Sequence, residues 1–217
     1  FEENTPFPML DFELFKVRNF VLGNIMGFAA YTSQNFVLFL MPFYMERLLH
    51  YPPSLSGLYL TITPVAMAIT APLAGSIADK IGSSRITSIS FVLTTSSHLI
   101  FSTLSQSVSV MKMVLALLLL GVGMGSFGSP NTSLIMGSIP KEKAGYASGF
   151  MSTVRNLSFA LGIALSASIF TYLFGIYQKY LPHNQAYSLA TGYVYKIGAL
   201  ITFLRLLLSL YSHYSPK

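Results

Sequence analysis

The sequence predicts an all-α protein that crosses a membrane several times, and three observations carry that reading. Of 217 residues, 53% are hydrophobic and only 9% are Asp, Glu, Lys or Arg, against roughly a quarter in soluble domains. So few charges cannot cover a water-soluble globule of this size, and lipid is the solvent that most of the surface requires. Charge-poor stretches of about 20 residues, the length a helix needs to cross the hydrocarbon core, recur six times. The connectors between them are short and rich in turn-forming residues, which leaves no room for a separate soluble domain.

The spans fall at Phe20 to Tyr44, Ser54 to Ala78, Ile86 to Leu104, Met113 to Ile135, Ala147 to Tyr172 and Thr191 to Tyr211. Lys196 and Arg205 interrupt the sixth and read as marks of its two ends, snorkelling to the interfaces; five spans is the alternative count. Turns are expected at Tyr51-Pro52-Pro53-Ser54, Lys80 to Ser84, Pro140 to Lys143 and Leu181-Pro182-His183-Asn184. Residues 1–19 read as a lead-in segment, 20–212 as the bundle and 213–217 as a tail. From Asp11 to Phe20, Phe12, Leu14 and Phe15 mix with Glu13, Lys16 and Arg18, a pattern suited to a short helix at the cytoplasmic interface. Alternating the connectors puts Lys16, Arg18, Lys80, Arg85, Lys141, Lys143 and Lys217 on one side and Arg47, Lys112 and Lys179 on the other. Basic residues concentrate in the cytoplasm, so both ends of this segment are expected there and the membrane is expected to be the cell membrane.

Several function classes are excluded. The net charge of +6 is scattered between apolar runs without forming a basic stripe, so no nucleic-acid partner is expected. Cysteine is absent, which removes disulfide and thiol chemistry. The four His residues lack metal-ligand spacing and no phosphate-cradling Gly-Lys loop occurs, so no metal, cofactor or enzymatic activity is expected. No charged segment with a cleavage site opens the chain, so a signal peptide is not expected, and the sequence reads as part of a longer chain.

The residues that stand out lie inside the spans. Asn24, Phe28, Tyr31 and Asn35 follow at spacings of four, three and four, one face of a helix. Amides facing lipid are costly, so this face meets either other helices or a wet cavity, where rings and amides suit a large amphipathic organic molecule. Gly121 with Gly125, and Gly145 with Gly149, form Gly-x-x-x-Gly faces that let helices pack closely. Pro64, Pro72 and Pro130 predict bends. Arg155 lies about 15 Å into the fifth span, where a cation needs a partner, water or a route to the interface. No span contains Asp or Glu, and His98 is the one other titratable candidate for carrying a proton.

Gly75-Ser76-Ile77-Ala78-Asp79-Lys80-Ile81-Gly82-Ser83-Ser84-Arg85 resembles the signature loop of the major facilitator superfamily. Gly75, Ile77, Ala78, Asp79, Lys80, Gly82 and Arg85 match it, while Ser83 and Ser84 replace basic residues and thin the charge network. Gly121-Val122-Gly123-Met124-Gly125, Asn131, Ile139 to Gly149, Arg155 and Gly162 resemble the carboxy-terminal half of the fourteen-helix drug:proton antiporters, as does the opening Pro8-Met9-Leu10-Asp11 with Leu14-Phe15. The resemblance implies six helices as two inverted three-helix repeats and a missing amino-terminal half as partner. It also implies a lipophilic, often cationic drug-like substrate expelled in exchange for protons. Asn24, Phe28, Tyr31, Asn35, Asn131 and Arg155 would line the substrate path, and Gly75, Asp79, Lys80, Gly82 and Arg85 would form a conformational switch. The proton-carrying carboxylate would lie in the other half. A facilitator-type metabolite permease and a non-transporting membrane subunit are the alternatives.

Overall fold

A computed structural model describes residues 12–105 and 109–214. A short 3-10 helix, Phe12–Lys16, leads into α1 (Arg18–Phe43). Pro42 cannot donate to the helix ladder, and α1 passes through one π turn, Tyr44–Leu48. Pro53 then opens α2 (Pro53–Leu60), with its missing N–H at a position that has no helical acceptor. α3 (Ile62–Ile81) follows after a break at Thr61. Pro64 explains that break, because it cannot donate to Leu60; Pro72 and Pro130 lie inside continuous helices. Gly82, at φ 95°, is the single residue between α3 and α4 (Ser83–Phe101), a backbone region open to glycine. α5 (Val110–Met136), a 3-10 turn at Lys141–Lys143, α6 (Ala144–Tyr177) and α7 (His183–Tyr214) complete the chain.

Each expected span overlaps a helix, but the second is broken at Thr61, the third runs past the end of α4 at Phe101, and the last begins at His183 and not at Thr191. His183 and Asn184, expected in a connector, form its first turn, because Pro182 ends the preceding loop and its carbonyl accepts from the Ala186 N–H. Pro8 to Leu10, Asp11 and the tail's last three residues lie outside the described residues. Among the described residues, four helical stretches are long and apolar enough to cross a membrane: Pro53–Ile81, Val110–Met136, Lys141–Tyr177 and His183–Ser209. α1 and α4 carry more polar residues, and the reason is their position. Thr32, Ser33, Gln34 and Asn35 on α1, and Ser90, Thr94, Ser97 and His98 on α4, are buried against other helices and never meet lipid.

Contacts along the helices fix the directions. α3 and α5 run parallel, with Thr63 beside Gly121, Met67 beside Gly125 and Gly75 beside Ser129. α1 and α6 also run parallel, with Phe20 beside Phe150, Tyr31 beside Phe159 and Asn35 beside Gly162. α4 and α7 are antiparallel, linked by Thr95 to Thr202 at 3.0 Å and Ser88 to Ser209 at 3.0 Å. The first helix of each repeat thus lies along the middle helix of the other, and the third helices pair. This is the arrangement of two three-helix repeats in opposite orientation.

The main core joins α1, α4, α5 and α7 through Phe36, Met41, Phe91, Phe101, Leu117 and Tyr195. A smaller cluster at the other end packs Leu14, Phe20, Ile135, Ile139 and Ala147. Between helices in lipid no hydrophobic drive acts, so close packing and hydrogen bonds hold the bundle. Thr63 donates to the Leu117 carbonyl at 3.2 Å, Ser97 to Ala116 at 2.7 Å and the Tyr44 hydroxyl to Ser105 at 2.6 Å. An exposed ion pair, Lys143 to Glu13 at 2.5 Å, ties the lead-in to the start of α6 and adds little.

Candidate functional site

The α1–α6 seam collects most of the residues expected on the substrate path. Helical periodicity puts Asn24, Phe28, Tyr31 and Asn35 on one side of α1. The two amides turn back on their own helix: Asn24 Nδ2 donates to the Phe20 carbonyl and Asn35 Nδ2 to the Tyr31 carbonyl, each at 2.8 Å. Neither therefore makes the interhelical hydrogen bond that was the alternative for this stripe. Asn131 does, donating from Nδ2 to the Gly23 carbonyl at 3.2 Å across α1 and α5, while its Oδ1 is buried with no partner. Thr32 Oγ1, on the same stretch of α1, is likewise buried and unpartnered.

Two clefts open along this seam. One, of about 240 Å³, is lined by Phe15, Phe20, Asn24, Phe28, Phe150 and Val154. The other, of about 180 Å³, lies toward the opposite end of α1, between Phe39, Phe43, Arg47, Phe170 and Tyr187. Between them the helices close up. Gly162 is buried, and a Cβ there would stand 2.7 Å from both the Thr32 carbonyl and Asn35 Cβ. Ser158 and Ser166, one turn either side of Gly162, are also buried, so a ladder of small residues makes this waist.

Tyr31 stands at the waist. Its ring lies 6.3 Å from Phe127 and 5.8 Å from Phe159, and the Arg155 guanidinium sits 5.3 Å over it. Arg155 is exposed on α6, and its cation meets the electron-rich ring face. Around Tyr31 the seam therefore presents rings, amide oxygens and the Arg155 cation. That set can stack on and orient a flat organic molecule. Among the described residues, no group of three or more His, Asp or Glu could hold a metal ion.

The remaining residues lie elsewhere. Asp79, Lys80, Gly82 and Arg85 are exposed at the α3–α4 turn, and Gly75 meets Ser129 of α5. Gly121 and Gly125 receive the α3 backbone, the Thr63 and Met67 carbonyls lying 2.5 and 2.9 Å from where a Cβ would stand. Gly145 and Gly149 have nothing within 4 Å of that point. Arg205 corrects the snorkelling assignment: it is only 3% exposed, and among the described residues none of its guanidinium nitrogens has a hydrogen-bond partner. It lies 4.1 Å from the Phe91 ring and 5.0 Å from the Phe127 ring. Lys196 is exposed over Tyr193 at 4.6 Å. His98 is buried, its Nδ1 2.8 Å from the Thr94 carbonyl and its Nε2 3.0 Å from the Ser33 carbonyl, and it closes the α1–α4–α7 contact against Gly198. Arg205 stands nine residues before Tyr214, the last described residue of α7, about 13 Å of rise and beyond the reach of an Arg side chain.

Comparison with known proteins agrees with the loop and the bundle. The riboflavin transporter RibZ of Clostridioides difficile (strain 630) is 40% identical over 202 residues, 93% of this chain and 44% of its own length. The multidrug resistance protein Stp of Mycobacterium tuberculosis (strain CDC 1551 / Oshkosh) is 27% identical over 77% of this chain and 31% of its own length. The probable multidrug resistance protein EmrY of Escherichia coli (strain K12) is 25% identical over 77% of this chain and 33% of its own length. The chain spans less than half the length of these relatives. Residues 2–163 match the family model of the Major Facilitator Superfamily, and with the loop at the α3–α4 turn and two interleaved three-helix repeats in the same chain, this multi-pass membrane protein belongs to that family.

Proposed function

We propose that this chain is the carboxy-terminal half of a secondary transporter that moves a flat aromatic organic solute across the cell membrane, and that the solute passes along the face of α1 toward α6. The observation that carries this reading is the Tyr31 cluster, with Phe127, Phe159 and Arg155 around one ring at the waist between two clefts. Aromatic ring faces accept a planar solute at low conformational cost, and a cation over the same ring fixes one edge. The riboflavin carried by the 40% identical relative has that shape. Alternating access needs a second bundle, and we assign it to the rest of a longer protein, in keeping with the length of the relatives.

The apolar lining of the larger cleft supports a second reading, export of lipophilic drugs in exchange for protons, the function that the names of the more distant relatives also favour. In that reading Asp79 and Arg85 bias the conformational equilibrium, and the proton rides on a carboxylate outside this segment, since none of the seven acids falls in a span interior. Flux of radiolabelled riboflavin into proteoliposomes containing the full-length protein separates the readings. Saturable flux that drops at least about tenfold in Tyr31→Ala supports the first. Transport of lipophilic dyes driven by a proton gradient, with no riboflavin flux, would leave the second.

A further inference from the structure

A ladder of rings crosses the bundle with two arginines laid over it. Phe91 lies 5.5 Å from Phe127, Phe127 6.3 Å from Tyr31, and Tyr31 5.8 Å from Phe159. Arg205 covers Phe91 and Phe127 from inside, and Arg155 covers Tyr31 from the α6 side. Among the described residues, no acid lies along the ladder. Glu13, Glu46, Asp79 and Glu142 are the acids among the described residues, and all four are exposed at helix ends or turns. Among the described residues, Arg205 is buried with no partner for its guanidinium nitrogens and no acid beside it. A charge held among rings and helices acts over several ångströms with far less screening than a charge in water.

The geometry points to Arg155 and Arg205 as charge-selecting residues, so that the substrate taken by this face is a flat aromatic molecule that is neutral or anionic, and organic cations are disfavoured. The inference rests on the transport reading above and departs from the cationic substrates that the family resemblance implies. A cationic ring placed on Tyr31 competes with Arg155 for the same electron-rich face and meets two like charges without a counter-ion. A neutral ring stacks beside Arg155 and leaves that contact in place. An anionic group meets the guanidinium fork, which pairs with carboxylate or phosphate oxygens through two parallel N–H bonds. Arg205 contributes through its field, and Arg155, being exposed, through contact.

Three planar aromatic probes of different charge test this: riboflavin as the neutral one, flavin mononucleotide as the anion and ethidium as the cation. Uptake of each is measured in proteoliposomes of the full-length protein, and binding of each to the detergent-solubilised protein is measured by fluorescence. Riboflavin or flavin mononucleotide is expected to exceed ethidium in kcat/KM by about tenfold or more, which is about 1.4 kcal/mol. Arg155→Gln is expected to reduce that ratio to about threefold or less, chiefly by raising ethidium transport, whereas Arg205→Lys keeps the charge and the preference. Ethidium transported as well as the flavins by the unaltered protein overturns the charge selection and leaves the transport reading standing. If none of the three is transported, that reading fails, and the dissociation constants decide the selection: tighter binding of a flavin upholds it, while tighter binding of ethidium, or no binding of any probe, overturns it.

Discussion

The contact of α5 with α3 and the contact of α1 with α6 are counterparts in the two repeats, and they are built alike but furnished differently. In each, a backbone carbonyl of one helix comes within 2.5–2.7 Å of where a glycine Cβ would stand on the other, Thr63 on Gly121 and Thr32 on Gly162. The α3–α5 contact adds a second glycine, Gly125, and a Thr63 hydroxyl bond to Leu117. The α1–α6 contact instead has clefts at both ends, an arginine over a tyrosine and two amides tied to their own helix. Duplicated geometry supplies the packing, and the groups we assign to the solute lie on the α1–α6 copy. A packing contact that is also a path has to be tight at one point and open on either side, which is how the α1–α6 seam is arranged.

The largest expected effects test the shared packing. Gly121→Leu and Gly162→Leu both push a side chain into backbone, and each is expected to cost about 3 kcal/mol or more, seen as loss of folded protein or a large fall in Tm in detergent. Gly145→Ala and Gly149→Ala, facing open space, are expected to change stability by less than about 1 kcal/mol, toward stabilisation, because Ala restricts the unfolded chain more than Gly. Equal losses at all four positions would mean that Gly145 and Gly149 also carry a close contact.

A smaller effect separates the two arginines. Removing a buried cation without a hydrogen-bond partner relieves a desolvation cost of several kcal/mol, larger than the about 2 kcal/mol that ring faces return. Arg205→Met is therefore expected to raise stability by about 1–3 kcal/mol, while Arg155→Met, at an exposed position, changes it by about 0.5 kcal/mol or less. A lower Tm for Arg205→Met would show that Arg205 has an acceptor in the assembled protein. The smallest effect is expected at the exposed α3–α4 turn. Asp79→Asn in the full-length protein should shift the conformational equilibrium by about 1 kcal/mol, read as reduced transport at unchanged membrane insertion.

The fold was largely legible because spans follow from run length, and the turns from Gly82, Pro53 and Pro140. Composition could not show that α1 and α4 are sheathed by other helices; their Asn, Gln, Ser and Thr residues reveal burial only once neighbours are known. The Gly-x-x-x-Gly spacing located Gly121 and Gly125 at a close contact, yet the same spacing at Gly145 and Gly149 faces open space, since spacing says nothing about which side of a helix is covered. Gly162 closes the waist without a second glycine, in a ladder with Ser158 and Ser166 that a search for small residues every four positions would have found. At the site, the α1 stripe was legible as a face, but the direction of its amides was not, because an Asn on a helix can bond its own carbonyl four residues back as readily as a neighbour. Arg155 and Arg205 look alike in sequence, and tertiary packing alone makes one exposed and the other buried.

The central claim is that solute passes along the α1–α6 contact and not along its counterpart between α5 and α3. This segment contains no cysteine, so single cysteines can be placed at Phe28, which lines the larger cleft, and at Ile69, exposed on α3, in a cysteine-free full-length protein. The rate of modification by a small maleimide is then measured with and without saturating riboflavin. Protection at position 28 with no change at position 69 is the result predicted. Unchanged rates at both positions in a protein that still transports riboflavin, or protection at position 69 alone, would contradict the assignment of the path to α1.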